Sequence, residues 1–156
     1  MLKGRSFWDA KPPQVCSWYW RKILKLRPLA RTMIKHKIRD GANTYLWYDN
    51  WHPLGPLVER FGSRIIYDAA LPTTARVSCV IHNNEWSWPV ANSGSLMEIK
   101  RNLIQQPKPQ LGHDVVAWVP SPNGIFNTAH TWSFLHGSEE KVPWFHLVWN
   151  PGNLPR

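Results

Sequence analysis

The sequence predicts an α+β protein that combines two β-hairpins with several short helices and long loops rich in proline and tryptophan. Stretches with helical spacing of apolar residues alternate with β-forming stretches, and two tight-turn signals, Asp40-Gly41 and Asn123-Gly124, fall between extended segments. Apolar residues make up 43% of the 156 residues, which is ample material for a core. No period of about 20 to 50 residues repeats, so a solenoid is excluded.

The first predicted helix begins after Ser17, whose hydroxyl can cap it, and ends before Pro28. Within it Trp20, Ile23 and Leu24 share one face, and basic residues occupy the other. A second helical turn is expected over residues 29–34.

The first hairpin is predicted from two extended segments on either side of Asp40-Gly41. Residues 35–39 alternate with a period of two, and residues 43–48 supply β-forming side chains for the returning strand. Residues 50–62 then form an irregular loop, because their prolines and glycines interrupt regular structure.

Two helices are predicted in the middle of the chain. One starts at Thr73 or Thr74 and ends near residues 83–84. The other covers about residues 95–106, where Ser95 and Glu98 have the spacing of a capping box and the following proline ends the helix.

The second hairpin is predicted from residues 114–119 and 125–128, which the Asn-Gly turn joins. Residues 129–136 then have a helical pattern that ends at Gly137. Residues 144–149 are expected to begin a further short helix.

Positive charge is concentrated in one half of the chain. Residues 1–78 contain 14 Lys and Arg against 5 Asp and Glu, whereas residues 79–156 contain 5 of each. Residues 21–39 hold eight basic side chains, Arg27 among them, and no acid. Clustered cations of this kind neutralise phosphates, so the sequence predicts sequence-independent binding of RNA or DNA. The candidate phosphate contacts are Arg21, Lys22, Lys25, Arg31, Lys35, Lys37 and Arg39.

Two interpretations of this region stay open. Trp18, Tyr19 and Trp20 could stack on unpaired bases, or they could belong to the core, where tryptophan at helical spacing is usually found. The basic residues also have an alternative interpretation. An exposed helix face and an exposed strand can be basic without binding a partner.

No catalytic or metal-binding constellation can be assembled from the residues. Among the seven histidines, the closest pairings with another ligand are His130 with His136 and Asp49 with His52, and neither has the spacing of a zinc site. The chain lacks a Gly-x-Ser-x-Gly elbow and a phosphate-binding glycine loop. Its acidic residues are too scattered for a two-metal site. We therefore expect no enzyme, no metal and no cofactor.

The surroundings of the protein can also be predicted. Cys16 and Cys79 are too few for a disulfide framework and are typical of reduced thiols. The N-terminus lacks the apolar segment of a secretory signal, and no apolar run approaches the roughly 20 residues that cross a bilayer. We expect an intracellular location, with the nucleus as one candidate compartment, and no membrane partner.

Eight motifs follow one another along the chain in a characteristic order and spacing. They are Ser6-Phe7-Trp8, Trp20 to Arg27, Ile38 to Trp51, Gly55-Pro56-Leu57, Trp118, Asn123 to Phe126, His130-Thr131-Trp132 and Trp144 to Pro155. Taken together, they resemble plant LINE-type (non-LTR) retrotransposon polyproteins. The similar stretch in that family lies between the polymerase domain of the reverse transcriptase and its zinc-binding domain.

The resemblance implies a connector domain over residues 1–149 and a linker over 150–156 that leads to an absent zinc-binding domain. The family's polymerase carboxylates would precede Met1, and its zinc ligands would follow Arg156, so neither activity nor zinc is implied. The function expected is that of a non-catalytic fragment that binds RNA or DNA. The alternative is a scaffold whose tryptophan-rich loops at 47–57 and 86–89 pack against neighbouring reverse transcriptase domains. The sequence leaves the oligomeric state open.

Overall fold

The computed structural model describes residues 4–88 and 93–137. The chain divides into two compact units, Met1–Val119 and Pro120–Arg156. Within the described residues lie six α-helices and two antiparallel two-stranded sheets, which confirms the α+β class. The single domain over 1–149 stays a prediction. The helix predicted at 144–149 and the linker at 150–156 lie outside the described residues.

The two N-terminal helices form where the sequence predicts them. Helix α1 spans Trp18–Lys25, and the Ser17 hydroxyl accepts the N–H of Trp20 as its N-terminal cap. Helix α2 spans Arg27–Met33 and carries Pro28 in its first turn, where a missing N–H costs nothing. The proline therefore begins a second helix directly after the first.

The first predicted hairpin is wrong in its pairing. Strand β1 spans Ile34–Lys37, but it pairs with strand β4, Val115–Trp118, in antiparallel register with Ile34 opposite Trp118. Residues 43–48 are not a strand. Leu46 and Trp47 are both fully buried, and consecutive burial is incompatible with the alternating faces of a half-buried strand.

The Asp40-Gly41 turn exists, but Asp114 holds it. One carboxylate oxygen of Asp114 accepts the N–H groups of Arg39 and Gly41, and the other accepts from Asn43 and Thr44. The backbone donors of the turn are thereby satisfied by the residue that precedes β4. This network favours the long-range pairing over the local one.

The loop predicted at 50–62 and the helix predicted from Thr73 or Thr74 also need correction. Helix α3, Leu57–Phe61, interrupts the loop, and helix α4 follows at Arg64–Asp68. The later segment forms a short 3-10 helix, Val77–Val80, and then a hairpin of β2, Ile81–His82, with β3, Glu85–Trp86. Asn83 and Asn84 both have positive φ, as a tight two-residue hairpin turn requires.

Helix α5 spans Gly94–Leu103 and supplies one wall of the core. Its cap is Ser93 and not the predicted Ser95, because the Ser93 hydroxyl accepts the N–H of Leu96. The core cluster lies entirely in the first unit, and its members are Leu46, Trp47, Trp51, Leu57, Ile65, Ile66, Ala69, Ala75, Val77, Val80, Trp88, Leu96, Ile99 and Leu103. The tryptophans of the 47–57 and 86–88 segments that belong to it are Trp47, Trp51 and Trp88, and all three are buried.

The described part of the second unit consists of a turn and one helix. Gly124 donates its N–H to the carbonyl of Ser121, so the predicted Asn-Gly turn forms. The strand predicted at 125–128 is wrong, since Asn127 caps helix α6, Thr128–His136. That helix ends at Gly137 as predicted, with φ of 68°. Across residues 4–88 and 93–137, none of the helices combines the length and the apolarity that a bilayer crossing requires.

Candidate nucleic-acid interface

Strand β1 presents the predicted cations on one face. Lys35 and Lys37 are exposed and alternate with the half-buried Ile34 and His36. Arg39 continues the same alternation beyond the strand and is exposed. The residues opposite Lys37 and Lys35 on β4 are apolar, so the strand pair places no carboxylate beside them. Among the described residues, these three cations form no salt bridge.

These cations line a groove of about 580 Å³ in the first unit. Side chains from distant parts of the chain, on β3 and in the segment that follows α5, line the same groove. Its other principal lining residues are Trp51, Trp86 and Lys108. The arrangement combines a row of positive charge with an aromatic surface, which is what unpaired nucleic acid requires of a binding groove.

The aromatic surface of the groove is built from two stacked indoles. Trp86 and Trp51 lie with ring centroids 5.5 Å apart and planes at 25°. Trp51 is buried and donates its N–H to the carbonyl of Leu46, whereas Trp86 is half-buried and donates to the carbonyl of Pro107. Both rings are therefore fixed in orientation.

Two acidic residues near the groove, Glu85 and Asp114, accept hydrogen bonds. Glu85 accepts a hydrogen bond from Lys108 at 2.7 Å, which lowers the pKa of Glu85 and raises that of Lys108. Burial alone would raise the pKa of Asp114, but the hydrogen bonds from Arg39, Thr44 and the turn hold it below its usual value. Asp114 therefore stays ionised next to Arg39, and Glu85 offsets Lys108, so the positive charge that remains in the groove comes from Lys35, Lys37 and Arg39.

Helix α1 carries a second group of predicted cations. Arg21, Lys22 and Lys25 are exposed, and none forms a salt bridge within the described part of the chain. Arg21 contacts the sulfur of Cys16, and the ammonium of Lys22 lies 5.0 Å from the Trp18 ring centroid.

Two of the aromatic residues proposed for stacking are exposed on α1. Trp18 and Tyr19 have 64% and 74% of their surface accessible, so they do not belong to the core. Trp20 is half-buried and packs edge-on against Phe7. Trp18 and Tyr19 are therefore accessible for stacking on a base, whereas Trp20 has little exposed surface for it.

Two cations of the basic stretch serve the structure of the protein. Arg31 forms an ion pair with Glu59 and covers the Trp8 ring, which makes it a poor candidate for a phosphate contact. Arg27 donates to the carbonyls of Trp8 and Ala10. Its burial, together with the charge of Arg31, lowers its pKa. The charge of Arg31 is paired with that of Glu59, so its role as a phosphate contact stays a prediction.

The histidine pairings do not converge on a common site. Burial lowers the pKa of His52 to about 4, and its ring lies between the carbonyl of Ile99 and the N–H of Leu54. Asp49 instead accepts the N–H of Tyr45. Among the residues the structure describes, no three His, Cys, Asp or Glu side chains are grouped to hold a metal.

His130 and His136 also bond elsewhere. His130 lies 3.1 Å from the hydroxyl of Ser121, and His136 lies 3.1 Å from the carbonyl of Trp132. Each imidazole therefore has its own local partner.

Sequence reasoning missed Trp86 and Lys108 as members of the groove. Lys108 stands alone in its segment, and Trp86 was assigned to a loop that docks on another domain. No local signal could have placed either beside β1, because tertiary packing alone brings them there. Comparisons of the chain with protein-family models, curated proteins and solved structures returned no match.

Proposed function

We propose that this chain is a non-catalytic protein that binds RNA or DNA without reading its sequence. The observation that carries the proposal is the row of exposed cations at Lys35, Lys37 and Arg39, which line a groove and whose side chains form no salt bridge in the described structure. Such a row neutralises backbone phosphates and releases their counterions, and that gain does not depend on the bases.

The second basic group supports the same function. Arg21, Lys22 and Lys25 occupy α1 together with two exposed aromatic rings. They add positive charge to the same half of the chain, which raises the rate at which a polyanion is captured.

A salt titration with matched variants tests the proposal. The full chain is titrated against labelled 20-nucleotide strands of unrelated sequences between 50 and 200 mM salt. Lys35→Ala/Lys37→Ala is compared with Lys100→Ala/Arg101→Ala, which removes the same charge from exposed positions on α5. We expect only the first pair to weaken binding and to lower the salt slope by about 1.4. Salt-independent binding, or no binding at low salt, would refute the proposal.

We infer further that the chain is a fragment related to the region after the polymerase domain in plant LINE reverse transcriptases. The ordered motifs from Ser6 to Pro155 support this inference. Reading the genomic DNA on both sides tests it. An upstream frame with a Tyr/Phe-x-Asp-Asp motif and a downstream cluster of cysteine and histidine are expected, and their absence would contradict it.

A scaffold role is the second candidate, and the described part of the second unit favours it. Ile125, Trp132, Phe134 and Leu135 are exposed, and apolar side chains at such density are typical of a surface that packs against another domain. The isolated chain would then self-associate, and Trp132→Ser/Leu135→Ser would reduce the association. A monomer in sedimentation velocity that also melts cooperatively would contradict this role.

A further inference from the structure

We propose that the groove beside β1 is a site for an unpaired nucleotide, whose base stacks on Trp86 while the neighbouring phosphates lie along Lys35, Lys37 and Arg39. The proposal rests on the proposed nucleic-acid binding and specifies its substrate as single-stranded. A chain that only neutralised phosphates would bind duplexes at least as well.

The orientation of Trp86 makes it suited to stacking. Trp51 covers one face of its ring, and its N–H is bound to the carbonyl of Pro107. The residue is half-buried, packs against the core cluster and lines the groove. A base that stacks on the accessible part of the ring extends an existing aromatic pair, and little side-chain entropy is lost because the ring is already fixed.

The spacing of the cations fits an extended strand. Side chains on one face of a β-strand recur about every 6.8 Å, which separates Lys35 from Lys37, and Arg39 follows directly beyond the strand. A strand that follows this row keeps several phosphates near a positive charge while one base turns toward Trp86. In a duplex both faces of each base are covered by neighbouring pairs, so the aromatic contact is denied to it.

The remaining lysine of the groove, Lys108, is already paired. Glu85 and Lys108 form an ion pair with an N–O distance of 2.7 Å, so the charge of Lys108 is offset. The unpaired positive charge of the groove therefore comes from Lys35, Lys37 and Arg39, and the aromatic contact from Trp86. The charge and the ring belong to different side chains, so each can be removed separately.

The first test separates the contribution of the Trp86 ring from that of the positive charges. The full chain and its variants are titrated by fluorescence anisotropy against one labelled 20-nucleotide strand and against its duplex. Trp86→Leu is expected to weaken single-strand binding by between about 5-fold and 100-fold and to leave duplex binding unchanged. Trp86→Phe keeps an aromatic face and should retain most of the affinity. Trp132→Leu removes an exposed tryptophan from the second unit and is the matched control.

Photochemical cross-linking gives an independent readout on the unaltered protein. A single-stranded oligonucleotide that carries 5-iodouracil is irradiated with the chain, and the adduct is located by peptide mass spectrometry. We expect an adduct at Trp86. Strands that bind with salt dependence but form no adduct there would overturn the proposal even if Trp86→Leu failed to fold.

The outcomes separate this proposal from the broader one. Equal affinity for single strand and duplex, or a Trp86→Leu variant within twofold of the parent, would overturn the stacking site and leave phosphate binding intact. Weaker binding of both the single strand and the duplex by Lys35→Ala/Lys37→Ala is expected under either proposal, and unchanged binding of both would overturn both. Absence of salt-dependent binding in the parent would overturn both.

Discussion

The hydroxyl of Thr44 donates a hydrogen bond of 2.7 Å to the carboxylate of Asp114, which lies 70 positions further along the chain. The same carboxylate accepts three backbone N–H groups from the turn that follows β1. One side chain thus fixes the turn and positions β4 beside β1. The cation row of the groove depends on this connection.

Asp114→Asn should destabilise the protein by about 2 to 4 kcal/mol, because an amide replaces one acceptor oxygen by a donor that faces N–H groups. Urea unfolding at pH 7 measures the change. The control is Asp68→Asn, whose ion pair with Arg64 is 3.8 Å long and worth less than about 0.5 kcal/mol. Equal effects of the two substitutions would contradict a special role for Asp114.

The pH dependence of this contribution has a defined sign. The pKa of Asp114 is lower in the folded protein than in the unfolded chain. Its contribution to stability is therefore complete above the unfolded value and is lost as pH falls through the folded value, below about pH 4. The parent should lose this contribution in that range, whereas Asp114→Asn lacks it at every pH.

A comparison of Gly41 with Gly62 separates the cost of a steric clash from the cost of backbone strain. Both have positive φ, near +69° and +76°, so alanine is strained at either position. A Cβ at Gly41 would also lie 2.6 Å from the backbone nitrogen of Ser78, whereas one at Gly62 meets nothing within 4 Å. Gly41→Ala should cost about 3 kcal/mol or more and Gly62→Ala about 1 kcal/mol, measured by urea unfolding. Similar costs would refute the close approach.

His52 should make the protein acid-sensitive. The unfolded chain takes up a proton near pH 6.5, but the buried ring does so only near pH 4. The folded state therefore loses stability as pH falls from 6.5 toward 4, by on the order of 3 kcal/mol in total. His52→Asn should flatten the pH profile of the unfolding free energy in this window. His82→Asn, at an exposed position, should not.

Arg31→Ala should lower stability and leave nucleic-acid binding nearly unchanged. The substitution removes the ion pair with Glu59 and the cover of the Trp8 ring. Lys37→Ala should show the reverse, with little change in the melting temperature and a salt slope smaller by about 0.7. If Arg31→Ala reduced the salt slope as well, Arg31 would contact phosphate after all.

Glu85→Gln should strengthen binding to single strands. The change frees the charge of Lys108, which lines the groove, and removes the carboxylate that pairs with it. We expect an increase of a few-fold at 50 mM salt that disappears at high salt, because the effect is electrostatic and exposed. Glu98→Gln is the control, since that residue lies on α5 and pairs with Arg60. Weaker binding by Glu85→Gln would mean that the pair with Lys108 organises the site.

The elements predicted correctly are those with local causes. Helix α1 has its predicted cap at Ser17, and helix α6 ends at the predicted Gly137, so short windows of sequence specify these features. The segments that became β1 and β4 were also recognisable as extended. Their pairing was not, because Asp-Gly and Asn-Gly signals favour a local partner and say nothing of a carboxylate far along the chain.

The candidate site also combines features that local sequence predicts with features that only tertiary packing produces. The charges of Lys35, Lys37 and Arg39 and their common face follow from alternation along a strand. The use of Arg31 by Glu59, and the arrival of Trp86 and Lys108 beside β1, arise from packing between distant segments. A pattern within one segment contains no information about such contacts.

The pairing of β1 with β4 also has a consequence for the order of events during synthesis. Val115 leaves the ribosome long after Lys37, so the lysine-bearing strand must wait for its partner while the intervening core residues are being made. Contacts of such long separation slow folding and prolong the exposure of an unpaired strand edge. A nascent chain arrested before Asp114 would contain most of the core sequence and still be unable to assemble the sheet that supports the groove.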